Sequence, residues 1–207
     1  MTLHAYDDLD PMQIDVLREI GNIGSGNAAT SLADMLGRTV DIKVPKVSIL
    51  DYSEVVEGLG GPEVLQVGLM FTMCGDVTGM LMFLLNKEFA HMVLNTLTGG
   101  ALADNGQVDE MDSSAIREVG NIMAASYVNA MASLTGLMID ISVPDMCIDM
   151  AGSILSVPAI YYANISEKII FIEDEFGDSQ DNSASHILMI PEVDALNKIM
   201  TNLGLDI

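Results

Sequence analysis

From Asp10 onward, Ile14, Leu17, Gly21, Gly24, Ala28, Leu32 and Met35 return every three or four residues. Apolar and small residues at that period predict an amphipathic helix with these positions turned inward. Asp10 followed by Pro11 reads as an N-cap with proline in the first helical position, and Gly37 stands where the helix would stop, about 25 residues on. The same grammar recurs from Asp109, with Glu110 and Asp112 in the first turn and Gly136 at the end. Each long helix runs into an alternating segment, "TVDIKV" or "MIDISV", closed by Pro45 or Pro144. Further strands are expected at "KVSIL", "VLQVGLMFTM", "VTGMLMFLL", "KIIFIED" and "HILMI". Shorter helices are expected from Lys87 to Leu97 and from Glu192 to Leu203. The segment "DMCIDMAGSIL", Asp145 to Leu155, is ambiguous, and its apolar spacing favours a helix. The acidic tract from Glu173 to Asp181 reads as a loop between two strands.

The resemblance between the two long helices extends to their sequences. Shifted by 99 residues, Asp10 to Pro45 lies over Asp109 to Pro144 without a gap, with identities at 13 of 36 positions. These include Met12, Arg18, Glu19, Gly21, Asn22, Ile23, Gly37 and Pro45. The remaining halves agree more loosely, an apolar run followed by a short helix in each. The expected architecture is therefore an α+β, internally duplicated, pseudo-two-fold domain spanning residues 1–207. Its repeats cover about 10–98 and 109–204, joined by Gly99 to Glu110, with a largely antiparallel sheet flanked by two long equivalent helices.

The stretch "EIGNIGSGNAAT", Glu19 to Thr30, holds enough glycine to suggest a phosphate-binding loop. The second copy argues against it, because Gly24, Gly26 and Asn27 become Met123, Ala125 and Ser126. Those side chains remove the backbone freedom that a cradle of amides needs, while a helix accepts them. The order G-x-x-G-x-G with no following lysine matches neither nucleotide fingerprint.

Composition narrows the field of partners. Thirty acidic against eight basic side chains leave a net charge of −22, which repels a nucleic-acid backbone or an anionic membrane. No nucleic-acid partner and no membrane insertion are expected, the apolar runs falling far short of the roughly 20 residues that span a bilayer. The start "MTLHAYDDLD" is acidic and lacks the apolar core of a secretion signal, so Cys74 and Cys147 are expected to be reduced, buried thiols in the cytoplasm. The sixteen methionines fall in apolar runs and read as core. His4, His91 and His186 are scattered, so no metal or cofactor is expected on this chain.

Opposite the inward stripe, Glu19 and Asn22 share a face one turn apart, with Asp15, Gly26, Ala29 and Ala33 along it. The second copy offers Ser114, Glu118, Asn121, Ala125 and Ala132. A glutamate and an asparagine on a wet helix face are ordinarily plain solvation. Here E-x-x-N persists in both copies, although asparagine costs a helix about 0.5 kcal/mol and the glycine before it nearly 1 relative to alanine. A neutral amide can accept a hydrogen bond from water through its oxygen and donate one to a phosphoryl oxygen through its nitrogen. Without a metal or a nucleophile, such a pair assists only an already activated phosphoryl group, in the water-positioning role that glutamine has in GTPases.

"LREIGNIGSGNAATSLADMLG" and "IREVGNIMAASYVNAMASLTG", each with E-x-x-N and then a proline after 22 intervening residues, closely resemble the CheC/CheX/FliY family of chemotaxis phosphatases. The resemblance implies an enzyme, a hydrolase of the aspartyl-phosphate on the response regulator CheY. It implies that Asn22 and Asn121 each enter the CheY active site and align water, and that Glu19 and Glu118 pair with a lysine of CheY. Asp15, Gly26, Ser114 and Ala125 would lie on the CheY-facing helix surfaces. Mg2+ would sit on CheY. It implies a second partner, the receptor deamidase CheD, since "CIDMAGSIL" resembles the helix presented to that enzyme with Asp149 at the contact; an acidic residue near a helix start has an equally good structural account. Pro45 and Pro144 read as strand-ending residues that set the fold. Two rival readings are a non-catalytic adaptor that sequesters CheD or CheY, and a flagellar-switch component. The second is disfavoured because no targeting segment precedes Asp10 or follows Leu203.

Overall fold

The computed structural model describes residues 3–42, 45–103, 106–161, 168–174, 176–177 and 185–205. After a short 3-10 turn at Tyr6–Asp8 come α1 (Pro11–Leu36), β1 (Asp41–Ile42), β2 (Lys46–Asp51), α2 (Tyr52–Gly58), β3 (Leu65–Gly75), β4 (Gly79–Leu85) and α3 (Lys87–Leu97). Then follow α4 (Glu110–Thr135), β5 (Ile139–Ile141), β6 (Asp145–Met150), α5 (Ala151–Tyr161), β7 (Lys168–Asp174), β8 (Phe176–Gly177), β9 (Ser185–Pro191) and α6 (Val193–Asn202). Strands β2-β7-β9-β4-β3 lie in that order, with β5 and β6 both paired along the far side of β3, and every pairing is antiparallel. The fold is α+β, as its element order predicts.

A single row of side chains shows how the sheet carries the helices. Leu69, Phe83, Ile187, Ile172 and Val47 stand opposite one another across β3, β4, β9, β7 and β2, and all are buried. Strands paired this way align residues on one face, so the row is a continuous apolar floor. Helices α1 and α4 lie on it side by side. A Cβ on Gly21 would stand 3.6 Å from Ile172, and one on Gly120 would stand 2.6 Å from Leu69. On the opposite face, α5 packs over β3, where Ile154 meets Gly68. All seven residues of β4 are buried, as expected of a strand covered on both faces.

Most expected elements stand where the hydrophobic pattern puts them, and α3 has the expected bounds. Asp145 to Leu155 differs: Asp145–Met150 is a strand, and the helix begins only at Ala151. Met146 and Ile148 are half-buried between exposed Asp145, Cys147 and Asp149, which is the two-residue period of a sheet. Helix α2 was not anticipated; its seven residues give too little periodicity to register. Along α1 the buried side also takes in Ile20, Ser25 and Leu36, while Ile14 and Met35 are only partly covered. Ala29, expected on the outward face, is buried, because a methyl group at the flank of the stripe is covered wherever neighbouring elements close over it. The cysteines are exposed rather than buried, and Met12, Met111, Met138 and Met150 lie on the surface rather than in the core. Lys43 and Val44 of the first alternating segment, Asp104 and Asn105 of the expected link, and most of the acidic tract beyond Asp174 lie outside the described residues.

Candidate functional site

Both long helices begin and end at defined points. Asp10 accepts a hydrogen bond from the Gln13 N–H at 2.8 Å while the Gln13 side chain accepts from the Asp10 N–H at 2.9 Å, closing a reciprocal cap behind Pro11. Asp109 accepts from the Asp112 N–H at 2.8 Å, and buried Asp112 in turn accepts from the Thr98 hydroxyl at 2.5 Å. Each helix has 26 residues and stops at a left-handed glycine, Gly37 at φ 63° and Gly136 at φ 70°. The caps fix where each helix starts and stops, and the buried stripe packed on the sheet fixes its rotation about its axis.

That rotation sets the candidate residues outward. Glu19, Asn22 and Glu118 are exposed and Asn121 is half-buried. Among the described residues none of the four side chains makes a hydrogen bond or ion pair, so two carboxylates and two amides stand available to solvent. Asp15 and Ser114 are exposed, and Gly26 and Ala125 are half-buried on the same faces. Pro45 is buried and comes within 3.6 Å of where a Gly21 Cβ would be, directly behind Asn22. It supports the helix from the side away from solvent. Glu118, Ser114 and Met111 line an open groove of about 860 Å³ whose other wall is Met35, Leu97 and Thr98.

Two features of these faces were not recognised in the sequence. Met12 and Met111 are 64% and 65% exposed, and each begins the stripe that continues through Asp15, Glu19 and Asn22 or through Ser114, Glu118 and Asn121. Their identity at equivalent positions was the available signal. The second feature is Arg18, whose guanidinium donates to Asp15 at 2.5 Å; its counterpart Arg117 borders a cleft with Ser113 and Ser114.

Asp149 is not on a helix. It is the penultimate residue of β6, exposed and opposite Gln66 of β3, and its carboxylate accepts from the Met150 N–H at 2.7 Å. The helix that follows, α5, exposes apolar side chains, with Val157, Ile160 and Tyr161 50%, 78% and 75% exposed. Two residues before Asp149, the Cys147 sulfur lies over Gly68. Although the residue as a whole is exposed, partial desolvation of the sulfur against the sheet, reinforced by the Asp149 charge, pushes the Cys147 thiol above its ordinary value. Alkylation by iodoacetamide, followed from roughly pH 7 to 10, should bring Cys147 to full reactivity at higher pH than free cysteine in the same buffer. Asp149→Asn should move that profile back toward lower pH. Among the described residues no three His, Cys, Asp or Glu side chains are placed so that they could hold a metal ion, and no helix is long and apolar enough to cross a membrane.

Comparison with known proteins places this arrangement. A CheC-like family model matches residues 12–49 and 111–148, the two capped helices with the segments that follow them. The CheY-P phosphatase CheC of Bacillus subtilis is 33% identical over 207 residues, covering 98% of this chain and 99% of that protein. The putative CheY-P phosphatase CheC1 of Halobacterium salinarum is 28% identical over 138 residues, 67% of this chain and 70% of its own. The crystal structure of Thermotoga maritima FliY superimposes with a TM-score of 0.74 at 24% identity, over 95% of this chain and 98% of that one, and so shares the fold. With one-third identity along nearly its whole length and both E-x-x-N helices matched, the chain belongs to the CheC-like family.

Proposed function

We propose that this protein is a phosphatase that removes the aspartyl-phosphate of the response regulator CheY, with Asn22 and Asn121 each aligning the attacking water. The observation that carries the reading is the pair of unengaged E-x-x-N sets, exposed except for half-buried Asn121, held on capped helices in a chain one-third identical to a CheY-P phosphatase. The Asn side-chain oxygen accepts a hydrogen bond from water and its nitrogen donates to a phosphoryl oxygen, holding the water in line with the bond to be broken. Oxygen of that water forms the new bond to phosphorus, the bond to the aspartyl oxygen breaks, and the products are free aspartate and inorganic phosphate. An amide is neutral and so approaches the phosphoryl group without the repulsion a carboxylate would meet.

Glu19 and Glu118, one turn away on the same faces, are assigned to pairing with a lysine of CheY, which orients the docked regulator. Magnesium is assigned to CheY, where it offsets the charge of the phosphoryl group. Asp149 and the apolar outer side of α5 are assigned to CheD. The exposed Asp149 carboxylate, followed in the chain by a helix that exposes Val157, Ile160 and Tyr161, supports a protein contact on this part of the molecule.

Turnover tests the reading. CheY charged with acetyl phosphate is mixed with this protein at one-twentieth of its concentration, and release of inorganic phosphate is followed. Many phosphates released per molecule above the spontaneous rate is the expected result. Acceleration only in proportion to the protein added would identify a sequestering adaptor instead.

A further inference from the structure

Of the eight Lys and Arg side chains in the chain, two occupy one equivalent position, Arg18 and Arg117, each immediately before the motif glutamate. Their surroundings differ. Arg18 is ion-paired with Asp15, both side chains largely exposed. The counterpart of Asp15 is Ser114, and among the described residues Arg117 makes no ion pair. It borders an open cleft of about 510 Å³ with Val108, Asp109, Glu110, Ser113 and Ser114, and the Asp109 carboxylate there is already engaged by the Asp112 N–H. A phosphorylated carboxylate with its flanking acids is an anionic target, and a chain of net charge −22 repels it at long range. Cations bordering the docking face therefore have a large influence on association.

We propose that Arg117 is an anion-recognising residue of the second face, released for that role by the change from Asp15 to Ser114. The proposal rests on the phosphatase reading above. Arg18 has its charge offset by Asp15, so at this position the first face offers an acidic phosphorylated partner less attraction, whereas on the second face the exposed Glu110 shares the cleft but makes no ion pair with Arg117 among the described residues. The two faces then differ in affinity for the same regulator, while their water-aligning amides are alike. Arg117 acts through docking and its effect belongs in KM rather than kcat.

The test isolates each face and then exchanges the one residue. Asn22→Ala leaves the second face alone and Asn121→Ala leaves the first, each assayed with acetyl-phosphate-charged CheY. The second face is expected to show the lower KM, by about three- to fivefold at low salt, with a steeper rise in KM from roughly 50 to 300 mM salt. Ser114→Asp in the Asn22→Ala protein should raise KM and flatten the salt dependence. Asp15→Ser in the Asn121→Ala protein should lower KM and steepen it. In both exchanges kcat stays constant and circular dichroism confirms folding. Equal KM values for the two faces, or exchanges that leave KM unmoved or alter kcat instead, would overturn the proposal while leaving the phosphatase reading intact. Failure of both single-face proteins to accelerate decay would overturn that reading, and this one with it.

Discussion

Asn22→Ala combined with Asn121→Ala should return the decay of phosphorylated CheY to its spontaneous rate, a loss of about 10²-fold or more, comparable to deleting one preorganised donor from an active site. Each single substitution should remove one face's share only, because the two faces work in parallel. The stability change should have the opposite sign. Neither amide has a hydrogen-bond partner among the described residues, so truncation leaves nothing buried and unsatisfied. Alanine is the better helix former by about 0.5 kcal/mol per site, and a chain of this size gains roughly 2–4 °C in Tm per kcal/mol. A protein that is slightly more stable yet inactive would mark these residues as kept for function. Loss of the folded circular dichroism signal together with activity would assign them a structural role instead.

The second large effect concerns the glycines of α1. Gly24→Ala should destabilise the protein by about 1–3 kcal/mol, the usual range for overpacking a filled core, despite the gain of nearly 1 in helix propensity. A Cβ there would stand 2.8 Å from Cδ1, 2.9 Å from Cγ and 3.1 Å from the backbone Cα of Tyr127 on α4. The Tyr127 ring has nowhere to move. It is fully buried, meets Phe83 edge-on at 6.0 Å, and its hydroxyl hydrogen-bonds to Ser25, while Phe83 meets Phe71 in the same way. Gly26→Ala, two residues on, meets nothing within 4 Å and should stabilise by about 1 kcal/mol. Thermal unfolding of the two variants side by side should show shifts in opposite directions; two falls or two rises in Tm would exclude the packing argument. The glycine-rich turn is thus a helix, with Gly24 present so that α1 and α4 can approach.

These two glycines also separate local from tertiary information. Comparison of the two helices established that Gly24 lies within a helix, because Met123 replaces it. It did not reveal that the side chain filling the space is Tyr127, 103 residues away in the chain. The missed strand Asp145–Met150 has the same origin. Met146 and Ile148 are spaced two apart, but six residues beside the regular period of Ala151–Tyr161 were absorbed into it, and only pairing with β3 separates them. Exposed Met12 and Met111 were assigned to the core because methionine in an apolar run usually is core.

The chain by itself determined the two long helices, their limits, their inward stripe and the outward direction of Glu19, Asn22, Glu118 and Asn121. Those properties depend on caps and on a 3.6-residue period, which act between residues a few positions apart. Tertiary structure decided which flanking residues are covered, with Ala29 buried and Met12 exposed. It decided that Asp149 lies near the end of a strand paired with β3 rather than at the start of a helix. Each of those outcomes is set by what another element, or a neighbouring turn, brings alongside, a distance in space that the order of residues does not contain.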